Sequence, residues 1–142
     1  MFSPADYAFM SYALRLAEKG LYGTAPNPRV GCVITHNEQI IGSGWHERAG
    51  QPHAEINALN DAGKAAQGAT AYVTLEPCSH YGRTPPCVNA LIGAGIAKVI
   101  IAMEDPNPIV SGRGKALLKE AGIAVQAGLL EAEARALNLG FV

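Results

Sequence analysis

The sequence predicts a layered α/β domain whose sheet is mixed and becomes parallel in its second half. The chain has 142 residues, which fits one compact domain, and 49% of them are hydrophobic while 16% are charged, as in an ordinary folded core. Two apolar runs separated by Asn37-Glu38 indicate an early β-hairpin. After the hairpin, strand-like runs alternate with helical patterns, which is typical of parallel strands joined by helices.

The first predicted elements are a helix and the hairpin. The helix begins at Ser3-Pro4, because serine is a favoured N-cap and proline suits the first helical turn. The two strands of the hairpin are predicted at 30–35 and 39–45. The apolar residues of the helix recur at helical spacing: Tyr7, Met10, Leu14, Ala17 and Leu21.

The later elements are separated by glycine and proline. Gly63 ends the second predicted helix, and Gly93 and Gly95 close the third. Prolines stiffen the loops between elements, and such loops on a rigid scaffold are where a functional site is expected. The later helices are predicted at 53–62, around 88–92, at 113–121 and at 130–139. The later strands are predicted at 69–74, 98–103 and 123–127.

Composition excludes several classes of protein. The formal net charge is −1, which weighs against general attraction to nucleic acid. Three cysteines form an odd set with no implied disulfide framework, so a reduced, cytoplasmic setting is expected. The sequence has no secretory pattern and no apolar run near 18 residues, so no membrane association is expected.

The chemistry is concentrated in His53-Ala54-Glu55, Pro77-Cys78 and Cys87. One imidazole and two thiols are zinc ligands, and three protein ligands leave the fourth tetrahedral position open to water, as in catalytic zinc sites. Bound zinc lowers the pKa of that water to roughly 7, and Glu55 is close enough in sequence to carry its proton. These residues predict zinc-dependent hydrolytic chemistry.

The alternative is a structural zinc site with a fourth ligand from His46, His80 or Cys32. Such a site would fold the domain and catalyse nothing. Structural sites usually pair their ligands in C-x₂₋₄-C or H-x₃₋₅-H units. Eight residues separate Cys78 from Cys87, which fits that spacing poorly and favours the catalytic interpretation.

At these residues the chain resembles the zinc-dependent nucleobase and nucleotide deaminase superfamily, whose signature is H-x-E followed by P-C-x-x-C. The chain departs from the signature in the longer spacing before Cys87. The segment TLEPCSHYGRTPPC at 74–87 is similar to one branch, the deaminase of riboflavin biosynthesis. APNPRVG at 25–31, GWH at 44–46 and DPNP at 105–108 support the same branch.

The resemblance implies a cytidine-deaminase-like three-layer α/β/α sandwich with a five-stranded mixed sheet. It implies hydrolysis of the 2-amino group of 2,5-diamino-6-ribosylamino-4(3H)-pyrimidinone 5′-phosphate, by zinc hydroxide with a glutamate proton shuttle. The product would be 5-amino-6-(5-phosphoribosylamino)uracil, with ammonia. A C-terminal NADPH-dependent reductase is usually fused to this domain, so residues 1–142 are expected to be a single deaminase domain without it, either excised or stand-alone.

Carried over by position, His53, Cys78 and Cys87 would hold zinc and Glu55 would shuttle protons. The implied substrate contacts are loop residues: Asn27, His46, Ser79, Arg83 and Asn107. Asn27 would meet the ribose and pyrimidine, although asparagine in a turn often caps the backbone. His46, expected near His53, would contact the base edge or phosphate, unless it only ends a strand. Arg83 would bind the 5′-phosphate, or it is a solvated loop residue.

Two other functions compete with this one. A cytidine, dCMP or tRNA adenosine deaminase would share the superfamily chemistry, although the short C-x-x-C spacing expected there is absent. A zinc-stabilised module that binds without catalysis would use the same ligands. The expected partner is a small-molecule ribotide, not nucleic acid or membrane, and association into a homodimer is a weak expectation from the family.

Overall fold

One five-stranded sheet, in the order β2-β1-β3-β4-β5, organises the structure. The computed structural model describes residues 2–20, 28–48, 50–79 and 85–138. β1 runs antiparallel to β2 and β3, whereas β3, β4 and β5 are parallel. The strands are β1 (Gly31–His36), β2 (Gln39–Trp45), β3 (Thr70–Leu75), β4 (Lys98–Met103) and β5 (Ala124–Ala127). The mixed sheet with a parallel second half confirms the prediction.

Five α-helices of the described residues cover the two faces of the sheet. They are α1 (Pro4–Glu18), α2 (Ala54–Ala62), α3 (Cys87–Gly93), α4 (Arg113–Glu120) and α5 (Glu131–Leu137). One buried cluster joins the sheet to α2, α3 and α4, and includes Ile34, Ala58, Leu91, Ile101 and Leu118. A second cluster joins the opposite face to α1 and α5, and includes Met10, Val33, Ile100 and Ala134. The three-layer α/β/α sandwich is therefore confirmed.

The start of α1 follows the predicted cap in detail. The Ser3 hydroxyl accepts the backbone N–H of Asp6 at 3.0 Å, and the Asp6 carboxylate accepts the N–H of Ser3 at 2.9 Å. This reciprocal capping box satisfies two backbone donors at the helix start. Met10 and Ala17 are fully buried as expected, but Tyr7 is 47% exposed and stacks edge-on against Phe2. Leu21 lies outside the described residues.

The turns match their predicted chemistry. Asn37 and Glu38 have φ of 52° and 60°, the left-handed pair that a two-residue hairpin turn requires. Gly63 ends α2 and begins a short 3₁₀ helix, Gly63–Ala66, that was not predicted. In α3, Val88 and Leu91 are fully buried whereas Ile92 is 37% exposed. The buried face of α3 is therefore narrower than the apolar pattern of the sequence predicted.

Two glycines of β2 set how closely α2 approaches the sheet. A Cβ added at Gly44 would lie 2.7 Å from Ala58 N, and one at Gly42 would lie 2.6 Å from Ala58 O. The helix backbone therefore rests directly on the strand, which fixes the start of α2 relative to the sheet. None of the helices in the described part of the chain has the length and apolarity needed to cross a membrane.

Candidate active site

Three helix and strand ends meet at one edge of the sheet. His53 is the N-cap residue of α2, Cys87 is the first residue of α3, and Cys78 follows the end of β3 by three positions. Parallel strands present their carboxyl ends at a common edge, and the following helices begin there. The partial positive charge at a helix N-terminus favours a thiolate at Cys87 and a carboxylate at Glu55, but the hydrogen bond with Cys78 at Cys87 and burial at Glu55 outweigh it, because the pKa of each group is raised.

The three predicted ligands lie together. The donor atoms of His53, Cys78 and Cys87 are all within 4.8 Å of one another. His53 Nδ1 is 3.2 Å from Cys87 Sγ and 3.8 Å from Cys78 Sγ. Ligands at the usual Zn–N and Zn–S bond lengths around a tetrahedral centre are ~3.5 Å apart. The observed distances bracket that separation, so the group fits zinc both in geometry and in donor chemistry.

The two thiols share their protons unequally. A hydrogen bond from Cys87, reinforced by His53 and by the backbone N–H of Cys87 at 3.1 Å, lowers the pKa of Cys78 to about 4. The same contact, together with burial, raises the pKa of Cys87. The bond to Cys78 also raises the pKa of His53. The surroundings of Cys78 therefore favour its thiolate, the form of cysteine that binds metal.

Glu55 is a buried carboxylate in the first turn of α2, with 4% of its surface exposed. Burial is the main reason that its pKa is raised to about 7, and the Cys78 thiolate adds to the effect. The N–H of its own backbone, the charge of His53 and a hydrogen bond with Cys87 oppose the shift. A carboxyl group with this pKa, beside the ligand group, can both take and give a proton near neutral pH.

His46 lies beside the cluster as the sequence predicted. Its ring is 5.2 Å from that of His53, in an edge-to-face arrangement. His46 is 3% exposed, and burial lowers its pKa, which favours the neutral imidazole. Nδ1 pairs with Pro52 O at 3.2 Å, while Nε2 is buried with no hydrogen-bond partner among the described residues. An unpaired buried nitrogen at this position is available to a bound molecule.

Of the other four predicted substrate contacts, two lie within the described residues and two do not. Asn27 and Arg83 lie outside the described residues. Ser79 is partly exposed and follows Cys78 directly. Asn107 is exposed, and its Oδ1 accepts the N–H of Ile109 at 3.0 Å, so part of its side chain stabilises its own turn. Contact between substrate and Asn27, His46, Ser79, Arg83 or Asn107 stays a prediction.

The structural alternative receives little support from the proposed fourth ligands. Within residues 2–20, 28–48, 50–79 and 85–138, the metal-binding group has three members, and neither His46 nor Cys32 joins it. Cys32 is fully buried in β1, and burial raises its pKa well above the usual value, as expected of a small core residue. His80, the remaining candidate, is outside the described residues.

Two polar residues that the sequence did not single out organise the surroundings. Glu76 is buried between β3 and Cys78 and binds three backbone N–H groups. Asn138, after α5, accepts the N–H of Arg29 at 2.8 Å and donates to its carbonyl at 3.0 Å, while the Arg29 guanidinium donates to Leu137 O. The sequence signal for Glu76 was a carboxylate placed directly after an apolar strand. Asn138 carried no comparable signal.

Comparison with known proteins agrees with this geometry. A family model described as the cytidine and deoxycytidylate deaminase zinc-binding region matches residues 3–103. The chain belongs to this family. Membership in a zinc-binding deaminase family and the His53/Cys78/Cys87 group point to the same metal.

Individual relatives in the deaminase family are similar over almost the whole chain. A diaminohydroxyphosphoribosylamino-pyrimidine deaminase of Buchnera aphidicola subsp. Acyrthosiphon pisum is 57% identical, with 96% of this chain and 92% of the relative covered. The riboflavin biosynthesis protein RibD of Escherichia coli K12 is 58% identical over 137 residues, which are 96% of this chain but 37% of RibD. The chain thus spans under two fifths of that relative's length.

A solved structure confirms the fold. RibD of Acinetobacter baumannii superposes with a TM-score of 0.95 at 58% identity, with 96% of this chain and 39% of that one covered. The similarity confirms the cytidine-deaminase-like fold that the sequence resemblance implied. The identities to RibD and to the Buchnera aphidicola deaminase confirm the resemblance to the deaminase of riboflavin biosynthesis.

Proposed function

We propose that this chain catalyses the hydrolytic deamination of 2,5-diamino-6-ribosylamino-4(3H)-pyrimidinone 5′-phosphate. The products are 5-amino-6-(5-phosphoribosylamino)uracil and ammonia. The observation that carries the proposal is the buried Glu55 beside three metal-binding side chains, whose donor atoms lie within 4.8 Å of one another. The 57% identity to a whole deaminase named for this substrate supports the choice of substrate.

The reaction adds water to the C2 carbon of the pyrimidinone and breaks its bond to the amino nitrogen. His53, Cys78 and Cys87 would hold zinc, which when bound would supply the Lewis acidity that lowers the pKa of water to roughly 7. Glu55 passes the first proton of the water to the ring nitrogen bonded to C2 and the second, from the new hydroxyl group, to the departing amine, which leaves the carbonyl and N–H of the uracil product and ammonia. Its burial suits this role, because bulk water does not compete for the proton.

Substrate is held by groups around the cluster. His46 is the best supported of these, because its buried Nε2 is unpaired and its ring lies 5.2 Å from that of His53. Because Nδ1 donates to the Pro52 carbonyl oxygen, Nε2 of the neutral imidazole is an acceptor and would accept an N–H of the substrate. Asn27, Ser79, Arg83 and Asn107 complete the proposed set, with the 5′-phosphate assigned to Arg83.

Residues 1–142 are proposed to act as one deaminase domain on a small molecule. The two buried clusters lie on opposite faces of a single sheet, which supports one structural unit. The three free cysteines support a reducing, cytoplasmic setting. The net charge of −1 supports a small-molecule substrate over nucleic acid or membrane. Assembly into a homodimer remains a weak expectation from the family, in which a reductase is usually fused to this domain.

The decisive experiment is ammonia release by the zinc-loaded protein and its Glu55→Gln variant. Glutamine keeps the size of the side chain but cannot carry the proton, so turnover of the ribotide is expected to fall by about 10²–10⁴-fold. Zinc stoichiometry and unfolding temperature should stay close to those of the parent. Glu120→Gln, at an exposed position in α4, is the matched control and should leave turnover, zinc stoichiometry and unfolding temperature unchanged.

Parallel assays with cytidine and dCMP separate the competing functions. Turnover of either one in place of the ribotide would assign a different deaminase reaction to the same site. A folded protein that binds one zinc and turns over no substrate would overturn the proposal in favour of a binding module. Glu55→Gln with full activity would remove Glu55 from the chemistry.

A further inference from the structure

Glu76 is a buried carboxylate that the proposed chemistry does not use. It follows the last residue of β3 and precedes Cys78 by two positions, and 5% of its surface is exposed. Burying a carboxylate is costly unless hydrogen bonds replace its hydration. The groups that donate those bonds therefore show which part of the structure Glu76 holds.

All three donors come from one segment, residues 105–115. Oε1 accepts the backbone N–H of Asp105 and of Gly112, each at 3.0 Å, and Oε2 accepts that of Lys115 at 3.0 Å. Gly112 is the N-cap of α4 and has no side chain with which to cap the helix. Glu76 thus caps α4 from the segment that follows β3, with its negative charge at the positive end of the helix.

The first turn of α4 also rests on the segment that carries the ligand Cys78. A Cβ added at Gly114 would lie 2.3 Å from the carbonyl oxygen of Pro77 and 3.3 Å from Cγ of Glu76. The backbone N–H of Glu76 donates to Met103 O at 2.9 Å, which continues the pairing of β3 with β4 beyond the strands. Glu76 is therefore bonded on its main chain and its side chain to the elements beside Cys78.

A relay of hydrogen bonds extends from Glu76 into the loop before α4. Asp105, held by Glu76, accepts the N–H of Asn107 at 2.9 Å, and Asn107 accepts the N–H of Ile109 at 3.0 Å. Ile109 is 78% exposed, and the segment lines an open cleft of about 780 Å³. Besides these bonds, the loop is held by backbone turns in which Asn107 O accepts the N–H groups of Val110 and Ser111, so hydrogen bonds set much of its shape.

We propose that Glu76 is a positioning residue, which fixes the 105–115 segment and the predicted substrate contact Asn107 against the metal-ligand segment at Cys78. The inference deepens the proposed function and rests on it only for its kinetic readout. Glu76 itself need not touch substrate or metal. It fixes the positions of Cys78 and Asn107 before zinc or substrate binds.

The test compares Glu76→Ala and Glu76→Gln with Ser3→Ala, which removes the cap of α1 on the opposite face of the sheet. The measurements are zinc affinity by competition with a chromophoric chelator, amide hydrogen exchange, and KM and kcat for the ribotide. Glu76→Ala is expected to weaken zinc binding about 10-fold or more, as loss of groups that support metal ligands does. It should also speed exchange at Asp105, Gly112 and Lys115 and raise KM more than it lowers kcat.

Glu76→Gln keeps one oxygen for Asp105 and Gly112 but turns its NH₂ toward the N–H of Lys115. Faster exchange should then be confined to Lys115, with zinc affinity between those of the parent and Glu76→Ala. Ser3→Ala should lower the unfolding temperature and leave zinc affinity and KM unchanged. If Glu76→Ala does not fold, the glutamine variant carries the test.

Zinc affinity and KM that match the parent in both Glu76 variants, with only a lower unfolding temperature, would reduce Glu76 to a helix cap and overturn the proposal. A parent protein that turns over no substrate would instead contradict the proposed function. In that event the exchange and zinc measurements still decide the role of Glu76, so the two failures are distinguishable.

Discussion

The close contact between β2 and α2 allows the position of the metal ligands to be changed without touching them. In Gly44→Ala, the new Cβ would lie 2.6 Å from Asn57 Cβ and 2.7 Å from Ala58 N. Ordinary contact begins near 3.4 Å, so the helix must move by about 0.8 Å relative to the strand. Overpacking of this kind costs roughly 1–3 kcal/mol in the free energy of unfolding.

The displacement falls at the start of α2, which carries His53 and Glu55. A shift near 1 Å at reacting groups costs on the order of 10²-fold in rate. Gly42→Ala is the matched control, because its Cβ would meet Ala58 O at 2.6 Å and Ala62 Cβ at 2.7 Å, in the middle and at the far end of the same helix, whereas Gly44 also faces Ala54 O in the first turn. We expect the two variants to lose similar stability, whereas Gly44→Ala loses much more turnover and zinc affinity.

The assay combines urea unfolding, chelator competition and ammonia release, at a temperature where both variants are folded. Gly93→Ala supplies a second control, since a Cβ there meets nothing within 4 Å and should be tolerated. Zinc affinity and turnover that fall equally in Gly42→Ala and Gly44→Ala would refute the reasoning. So would a Gly44→Ala variant with the parent's zinc affinity.

Two further predictions concern pH and metal. Burial acts to raise the pKa of Asp6, but the 2.6 Å bond from the Tyr72 hydroxyl and the bonds from Ser3 hold it below the usual 3.8. The stability that Asp6 contributes is therefore complete above pH 3.8 and is lost as pH falls through the folded pKa. In urea unfolding, the difference in free energy of unfolding between the parent and Asp6→Asn should become smaller over that pH range. A difference that stays constant with pH would contradict this prediction. Removing zinc with a chelator should lower the unfolding temperature and adding zinc should restore it, because a metal held by His53, Cys78 and Cys87 would join α2, α3 and the end of β3. The unfolding temperature of Cys78→Ser should respond to neither treatment. An unfolding temperature of the parent that does not change with chelator would argue against bound metal.

Most of the fold was predictable because its signals are local. The Ser3-Pro4 cap, the Asn37-Glu38 turn and the ending of α2 at Gly63 each depend on residues within one turn of the chain. Side-chain spacing also identified the buried face of α1, but it could not tell how far neighbouring elements cover that face. Tyr7 and Ile92 satisfy the helical pattern and are still 47% and 37% exposed, because coverage is a tertiary property.

The candidate site divides along the same line. His53, Cys78 and Cys87 were predicted to meet because their residue types and order resemble a known pattern, and their donor atoms do lie within 4.8 Å of one another. The role of Glu76 was not predictable in this way. Its three donors are 29, 36 and 39 residues away along the chain, and they are backbone groups, which no residue type reveals.

The pairing of Asn138 with Arg29 has a consequence for the order of folding. The two residues are 109 positions apart, so the loop that their contact closes spans most of the chain. Contacts of such separation are entropically costly until the intervening elements are in place. The hairpin β1–β2 can form from neighbouring residues during synthesis, but Arg29, just before β1, gains its bonds to Asn138 only after α5 has been synthesised. We therefore expect β1 to pair with β2 early and the bonds between Arg29 and Asn138 to form late.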